Sequence, residues 1–323
     1  MKRIGILTSG GDAPGMNAAI RAVVRAAAFN EIEVFGIERG YKGLIEGDIH
    51  PLGPRDVSGI INRGGTILHT ARCHRFMERE GREQAAANIE KFGIEGLVVI
   101  GGDGSYQGAE KLHSEFGVRC IGLPGTIDND IGGTDYTIGF DTAINTAMEA
   151  IDRIRDTANS HDRIFFIEVM GRHSGYVAMI SGIAGGAEDI LLPEAETSVA
   201  TLIERMRDGQ QRGKKSSIII VAEGCEYGGA MVLAKRVSDQ SEYKDNRVTV
   251  IGHLQRGGSP TAFDRVLASR MGVHAVEALL AGESGKMVGV SGQQLQLRPL
   301  SDAWEQRTRF DMELLRVAHV LSV

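Results

Sequence analysis

Apolar residues fall in short runs broken by glycine-rich or polar turns, and the runs alternate between strand and helix character. Residues 3–8 read as a strand, 17–29 as an Ala/Val/Ile helix and 33–37 as the next strand. Residues 94–100 form a near-continuous apolar run, as expected of a strand buried on both faces. A helix over 106–114 and a strand over 119–123 follow. A second series opens with an amphipathic helix over 141–157. It continues with strands at 163–170, 189–192, 217–222 and 247–251, separated by helices at 174–184, 198–212 and 230–239. A helical stretch at 261–281 is expected to return to the first sheet, and a closing helix begins near 304. Strands alternating with helices indicate βαβ units and open parallel sheets. The pattern divides into residues 1–138 plus about 255–303, and 139–254 plus about 304–323.

Three glycine-rich segments stand where a strand hands over to a helix: Gly10-Gly11-Asp12, Gly101-Gly102-Asp103-Gly104-Ser105 and Gly125-Thr126-Ile127-Asp128-Asn129-Asp130. Glycines let a backbone approach phosphate closely, and the helix that follows offers unpaired N–H groups. The first segment is neither a P-loop nor a dinucleotide fingerprint. By itself it also reads as a structural turn, with Asp12 as a helix cap. In the second, Asp103 suits Mg²⁺, which takes oxygen ligands and bridges phosphates; capping of the next helix is the alternative. The third crowds hydroxyl and carboxylate groups into five residues, as a phosphotransferase needs, although a surface Asx-turn would show the same residues.

The 43 glycines among 323 residues cluster after apolar runs, so they read as tight turns and not as a flexible linker. A net charge of −6 argues against a general nucleic-acid binder. No apolar stretch approaches the ~20 residues of a membrane span. Cys73, Cys120 and Cys225 are scattered without metal-ligand spacing, and no signal peptide is read, so a reducing cytoplasm is expected.

Residues 7–17, 101–105, 124–130, Met170-Gly171-Arg172 and Gly252-His253-Leu254-Gln255-Arg256-Gly257-Gly258, in this order, resemble the bacterial 6-phosphofructokinases of the ATP-dependent type. The resemblance implies two Rossmann-like lobes with mostly parallel sheets flanked by helices. It also implies a homotetramer with active sites shared between subunits. It implies transfer of the ATP γ-phosphoryl group to the carbon-1 hydroxyl of D-fructose 6-phosphate, with Mg²⁺. Asp128 matches the general base; an ordinary carboxylate is ionised at neutral pH without any shift. Thr126 matches the contact to the transferred group and Arg172 the cation that neutralises it, a kind of donor that contributes on the order of 3–4 kcal/mol. Gly11, Arg72, Cys73, Gly102, Gly104 and Ser105 match nucleotide contacts, with Asp103 at Mg²⁺. Met170, Gly171, Glu223, His253 and Arg256 match sugar-phosphate contacts. Arg163 and Arg247 match arginines that reach the 6-phosphate from a neighbouring subunit, where guanidinium forks suit a dianion.

Pyrophosphate-dependent relatives tend to carry Asp at position 104 and Lys at position 125. Glycine stands at both here, which favours ATP. Cys73 stands where close relatives often have phenylalanine, so weaker discrimination among purine triphosphates is expected. Arg21, Arg25, Arg155, Glu188, Lys214 and Lys215 resemble an effector site for ADP or phosphoenolpyruvate, but Pro54 replaces a further arginine of that pattern. Two rival readings are a lipid or NAD kinase, which shares the Gly-Gly-Asp-Gly loop, and a non-catalytic sensor. The 126–130 cluster and the interface arginines speak against the first. The presence of Asp128, Asp103 and Arg172 together speaks against the second.

Overall fold

The computed structural model describes residues 1–161, 163–195, 197–306 and 311–321, with the side chains of residues 161 and 312 outside that description. In chain order the strands and α-helices are β1 (Arg3–Thr8), α1 (Met16–Phe29), β2 (Glu33–Ile37), α2 (Tyr41–Glu46), β3 (Ile49–Pro51), α3 (Arg79–Lys91), β4 (Gly96–Gly101), α4 (Asp103–Phe116) and β5 (Cys120–Pro124). Then come α5 (Phe140–His161), β6 (Ile164–Val169), α6 (Tyr176–Ala184), β7 (Asp189–Leu191), α7 (Val199–Gln211), β8 (Ser217–Ala222), α8 (Ala230–Gln240) and β9 (Asn246–Val250). The chain closes with α9 (Ala262–Leu280), β10 (Lys286–Ser291), β11 (Gln294–Pro299), α10 (Asp302–Glu305) and α11 (Met312–Leu321). Packing divides it into two units, Met1–Thr142 with Arg256–Thr308 and Ala143–Gln255 with Arg309–Val323.

The first unit is built on a seven-stranded sheet in the order β11-β10-β5-β4-β1-β2-β3. The pairs of β10, β5, β4, β1 and β2 are parallel, while β3 and β11 add antiparallel edges. Every residue of β4 is buried, because helices cover both faces. Leu97 and Val99 join Leu7, Ile37 and Cys120 in one core with Leu44, Ile89, Tyr106 and Leu112. The alternate residues face α1 and α9: a side chain at Gly96 would meet Leu279, and Ile100 lies near Met16. Each Leu, Ile or Val removed from water this way contributes roughly 1.5–3 kcal/mol. Gly272 lets α9 approach α1 closely, since a Cβ there would come within 2.6 Å of the Ala22 Cβ.

The second unit holds a four-stranded, wholly parallel sheet ordered β7-β8-β6-β9. Phe166, Ile219 and Val221 pack against Leu202 and Met206 of α7 and Leu233 and Val237 of α8. The α/β class and the mostly parallel pairing agree with the sequence pattern.

Several expectations are corrected. The helix expected from residue 106 begins at Asp103, so Asp103 to Ser105 form its first turn. α5 runs to His161, beyond the expected end at 157. Neither the β10–β11 hairpin nor α2, β3 and α3 was foreseen. Of the closing helix expected from residue 304, residues 307–310 and 322–323 lie outside the described residues. The remainder divides into α10, which packs near α4 and β11, and α11, which packs on α6 and β7.

Candidate active site

The three glycine segments follow β1, β4 and β5, which are adjacent strands, so they meet at one carboxyl edge. The Ser9 N–H donates to the Ile100 carbonyl at 2.9 Å and the Gly125 N–H to the Gly101 carbonyl at 3.1 Å. Such an edge is where ligands of open α/β sheets bind.

The first loop ends at Gly15, the N-cap of α1, whose φ of 106° suits glycine. Asp12 therefore does not cap that helix. Its carbonyl instead accepts from Arg256 Nη1 at 3.0 Å. A Cβ at Gly11 would stand 2.6 Å from the same nitrogen, so the guanidinium takes the space that glycine leaves. The structure thus brings together Gly11 and Arg256, which the sequence reading assigned to different ligands.

The second loop opens α4. Gly102 is the N-cap, with no side-chain capping bond, and the half-buried Asp103 is the first helical residue, not the cap. The first-turn amides of such a helix are an anion site. A Cβ at either Gly102 or Gly104 would meet nothing within 4 Å. Ser105 is buried, and its carbonyl accepts from the Tyr41 hydroxyl at 2.5 Å, which fixes the turn against the core.

In the third loop Asp128 is buried and Thr126 half-buried. Thr126 Oγ1 accepts from the Asp128 N–H at 3.2 Å. Asn129 turns the chain with φ 50°. Its Oδ1 accepts from the Thr137 N–H at 2.9 Å, and its Nδ2 donates to the Asp135 carbonyl at 3.1 Å. The Thr137 hydroxyl donates to the Thr126 carbonyl at 2.7 Å. This clasp orders the turn that presents Asp128; Asn129 lies within the segment marked by the sequence, whereas its partner Thr137 carries no local signal. Arg72 is exposed, while Cys73 packs partly buried against the core that holds Tyr41 and Phe76.

The second unit repeats the logic. Met170 to Arg172 follow β6, Glu223 follows β8, and His253 follows β9, all at the carboxyl edge of adjacent strands. Glu223 Oε1 accepts from the Arg172 N–H at 2.7 Å and the Gly171 N–H at 3.4 Å. Arg172 itself sits at φ 55° with its side chain exposed, and His253 is exposed as well. The fully buried Gln255, which the sequence reading passed over inside its motif, accepts the Met170 N–H at 2.8 Å.

Arg163 and Arg247 stand at the other end of that sheet. Arg163 precedes β6 and Arg247 is the second residue of β9; both pair with Asp245, at 3.4 and 2.5 Å. The six residues of β6 separate Arg163 from Met170 by about 20 Å, and Arg247 stands opposite Phe165 near the same end.

Among the effector candidates, Arg155 lies 3.7 Å from Glu188 and donates to the Gly185 and Gly186 carbonyls. Glu188 and Lys214 line one cavity with Arg205 and Arg212. Lys215 is exposed, and Arg21 and Arg25 belong to α1 of the first unit.

Comparison with known proteins bears on this arrangement. The profile described as Phosphofructokinase matches residues 3–279. The chain is 58% identical over its full length, and that of the relative, to an ATP-dependent 6-phosphofructokinase 1 of Thermus thermophilus. It is 56% identical, again with both chains wholly covered, to an ATP-dependent 6-phosphofructokinase of Bacillus pumilus. The solved phosphofructokinase of Saccharomyces cerevisiae superposes with a TM-score of 0.87 at 36% identity, covering 100% of this chain and 48% of that one. With full-length identity of this order, and glycine turns and an aspartate at the edge where ligands of this architecture bind, the chain belongs to the phosphofructokinase family.

Proposed function

We infer that the chain is a phosphotransferase that moves the γ-phosphoryl group of ATP to the carbon-1 hydroxyl of D-fructose 6-phosphate. The products are fructose 1,6-bisphosphate and ADP, and the reaction is a step of glycolysis. Full-length identity to curated ATP-dependent 6-phosphofructokinases supports this reading.

At the residue level the proposal is as follows. Asp128 takes the proton of the carbon-1 hydroxyl as that oxygen attacks the γ-phosphorus, and the bond to the β,γ-bridging oxygen breaks. Thr126 contacts the moving group, and Arg172 offsets its charge. Gly11, Gly102, Gly104 and Ser105 receive the phosphate chain, with Arg72 and Cys73 toward the rest of the nucleotide. Met170, Gly171, Glu223, His253 and Arg256 bind the sugar phosphate. The single observation that carries this assignment is the buried Asp128 turn beside an uncapped helix start with open space over Gly102 and Gly104. That space suits a phosphate of the nucleotide and would be lost to a side chain at 104.

Magnesium fits as a shared ligand. Among the described residues no three His, Cys, Asp or Glu groups converge on a metal position. Mg²⁺ is commonly held by one or two carboxylates together with substrate phosphates. Asp103, half-buried in the first turn of α4, is suited to that role. When bound, the ion would neutralise phosphate charge.

A homotetramer with shared sites belongs to the same proposal. Its support is the separation of about 20 Å between Met170 and Arg163 along β6, too long for one hexose phosphate to span. If both ends bind fructose 6-phosphate, they serve different sites. An effector role for Arg21, Arg25, Arg155, Glu188, Lys214 and Lys215 toward ADP or phosphoenolpyruvate is proposed on the Arg155–Glu188 pair and the Lys214 cavity. No helix among the described residues is long and apolar enough to cross a membrane, and a cytoplasmic location is proposed for a glycolytic role. The deciding assay compares ATP with pyrophosphate as donor to fructose 6-phosphate with Mg²⁺. Turnover with ATP is expected, and turnover with pyrophosphate alone would overturn the reading.

A further inference from the structure

Asp264 lies in the first turn of α9, and its side chain is fully buried. Its carboxylate accepts three hydrogen bonds from the chain that leads away from the Asp128 turn. Oδ1 accepts the Gly139 N–H at 2.9 Å, and Oδ2 accepts the Thr142 N–H at 2.8 Å and the Thr142 hydroxyl at 2.5 Å. Thr142 Oγ1 in turn accepts the Thr261 N–H at 3.0 Å. Local helix capping does not explain this: Thr261 caps α9 through its own hydroxyl, while the Asp264 carboxylate is turned to residues more than 120 positions earlier.

The segment 137–142 is therefore held at both ends. At its start Thr137 clasps Asn129 and Thr126, and the Ile138 N–H donates to the Pro124 carbonyl at 2.7 Å. At its end Asp264 holds Gly139 and Thr142. Between them Gly139 has φ 104° and presses on the first glycine loop, where a Cβ would stand 2.7 Å from the Ala13 Cβ. We infer that Asp264 is a positioning residue for phosphoryl transfer, fixing the Thr126–Asp128 turn through Gly139 and Thr142. This rests on the reading of Asp128 as the base.

Only an ionised carboxylate offers acceptors alone at both oxygens; an amide in its place turns an N–H₂ toward one of the three donors. The loss reaches the turn as a displacement of the base, and misplacements of about 1 Å cost on the order of 100-fold in rate.

The test uses the full-length enzyme and three variants, Asp264→Asn, Thr142→Val and Thr142→Ser. In the first two, kcat is expected to fall about 10- to 100-fold while the KM values for ATP and fructose 6-phosphate stay within about threefold. Thr142→Ser keeps the hydroxyl and is expected to keep kcat. Amide hydrogen exchange is expected to accelerate in a peptide spanning 126–139 and to stay unchanged in β4. Unchanged kcat in a folded Asp264→Asn or Thr142→Val enzyme overturns the inference. So does a loss in which Thr142→Ser shares, or one that raises both KM values and exchange throughout the unit. Should Asp264→Asn fail to fold, the Thr142 pair decides. Wild-type turnover and the effect of Asp128→Ser test the underlying function separately, because neither depends on Asp264.

Discussion

Each unit hangs a turn from a carboxylate, but in opposite surroundings. Asp264 in the first unit is fully buried, whereas Glu223 in the second is half-buried at the rim of its sheet. Burial raises the Asp264 carboxyl to about 6, even though hydrogen bonds from Thr142 and Gly139 pull the other way. A sealed carboxylate fixes geometry and cannot reach a ligand. A half-exposed one can hold its turn and still face substrate. On the proposed assignment Asp264 serves to place reacting atoms, and Glu223 to grip an exchangeable anion. Loss of Asp264 should then appear in kcat and loss of Glu223 in KM.

The largest expected effect tests the first half of that contrast. Asp128→Ser should lower kcat by about 10²- to 10⁴-fold with little change in the fructose 6-phosphate KM, read in a coupled steady-state assay. Wild-type turnover would remove Asp128 from the mechanism.

Next comes the sealed carboxylate. The folded state holds the Asp264 proton more tightly than the unfolded chain, whose ordinary value is 3.8. The proton-linked part of its contribution to stability is therefore full below pH 3.8, decays as the pH rises and is gone above about 6. Across that window wild type should lose about 3 kcal/mol relative to Asp264→Asn, measured by chemical unfolding at a series of pH values. A constant gap would mean that the buried group does not titrate there.

Glu223→Ala sharpens the second half. It should raise the fructose 6-phosphate KM about tenfold, equivalent to one lost hydrogen bond to charge, with a smaller change in kcat. A pure kcat effect would erase the distinction between the units. Smallest of all is Cys73→Phe, expected to improve discrimination of ATP from GTP and ITP by a few-fold through added ring surface. Identical selectivity in both proteins would count against a base-facing role and leave Cys73 as part of the core it packs on.

The sequence disclosed what depends on local periodicity. β4 is apolar at nearly every position because both of its faces are covered, and that run was visible. So were the glycine turns, whose chemistry is written in consecutive residues. Long-range partnerships were not visible. Asp264 reads locally as an ordinary first-turn acid of a capped helix, and nothing near it in the chain marks Gly139 or Thr142. Gln255 lies inside a recognised motif, yet its buried bond to Met170 spans 85 positions. The hairpin of β10 and β11 was missed because no residue of β11 is buried, with Gln294, Gln296 and Arg298 breaking the apolar run. The start of α4 was misplaced because Gly102 and Gly104 suggest a loop, although an uncapped glycine start leaves amides free for a ligand.

The opposed ends of β6 also bear on genetics. Under the shared-site reading, a protein crippled at Arg163 and another crippled at Arg172 are each inactive alone. Co-assembled, some sites would draw both defects onto one pocket and leave a neighbouring pocket intact. Mixing the two dead enzymes under conditions that exchange subunits should then revive catalysis, whereas defects at Arg172 and Glu223, on the same edge, should never rescue one another.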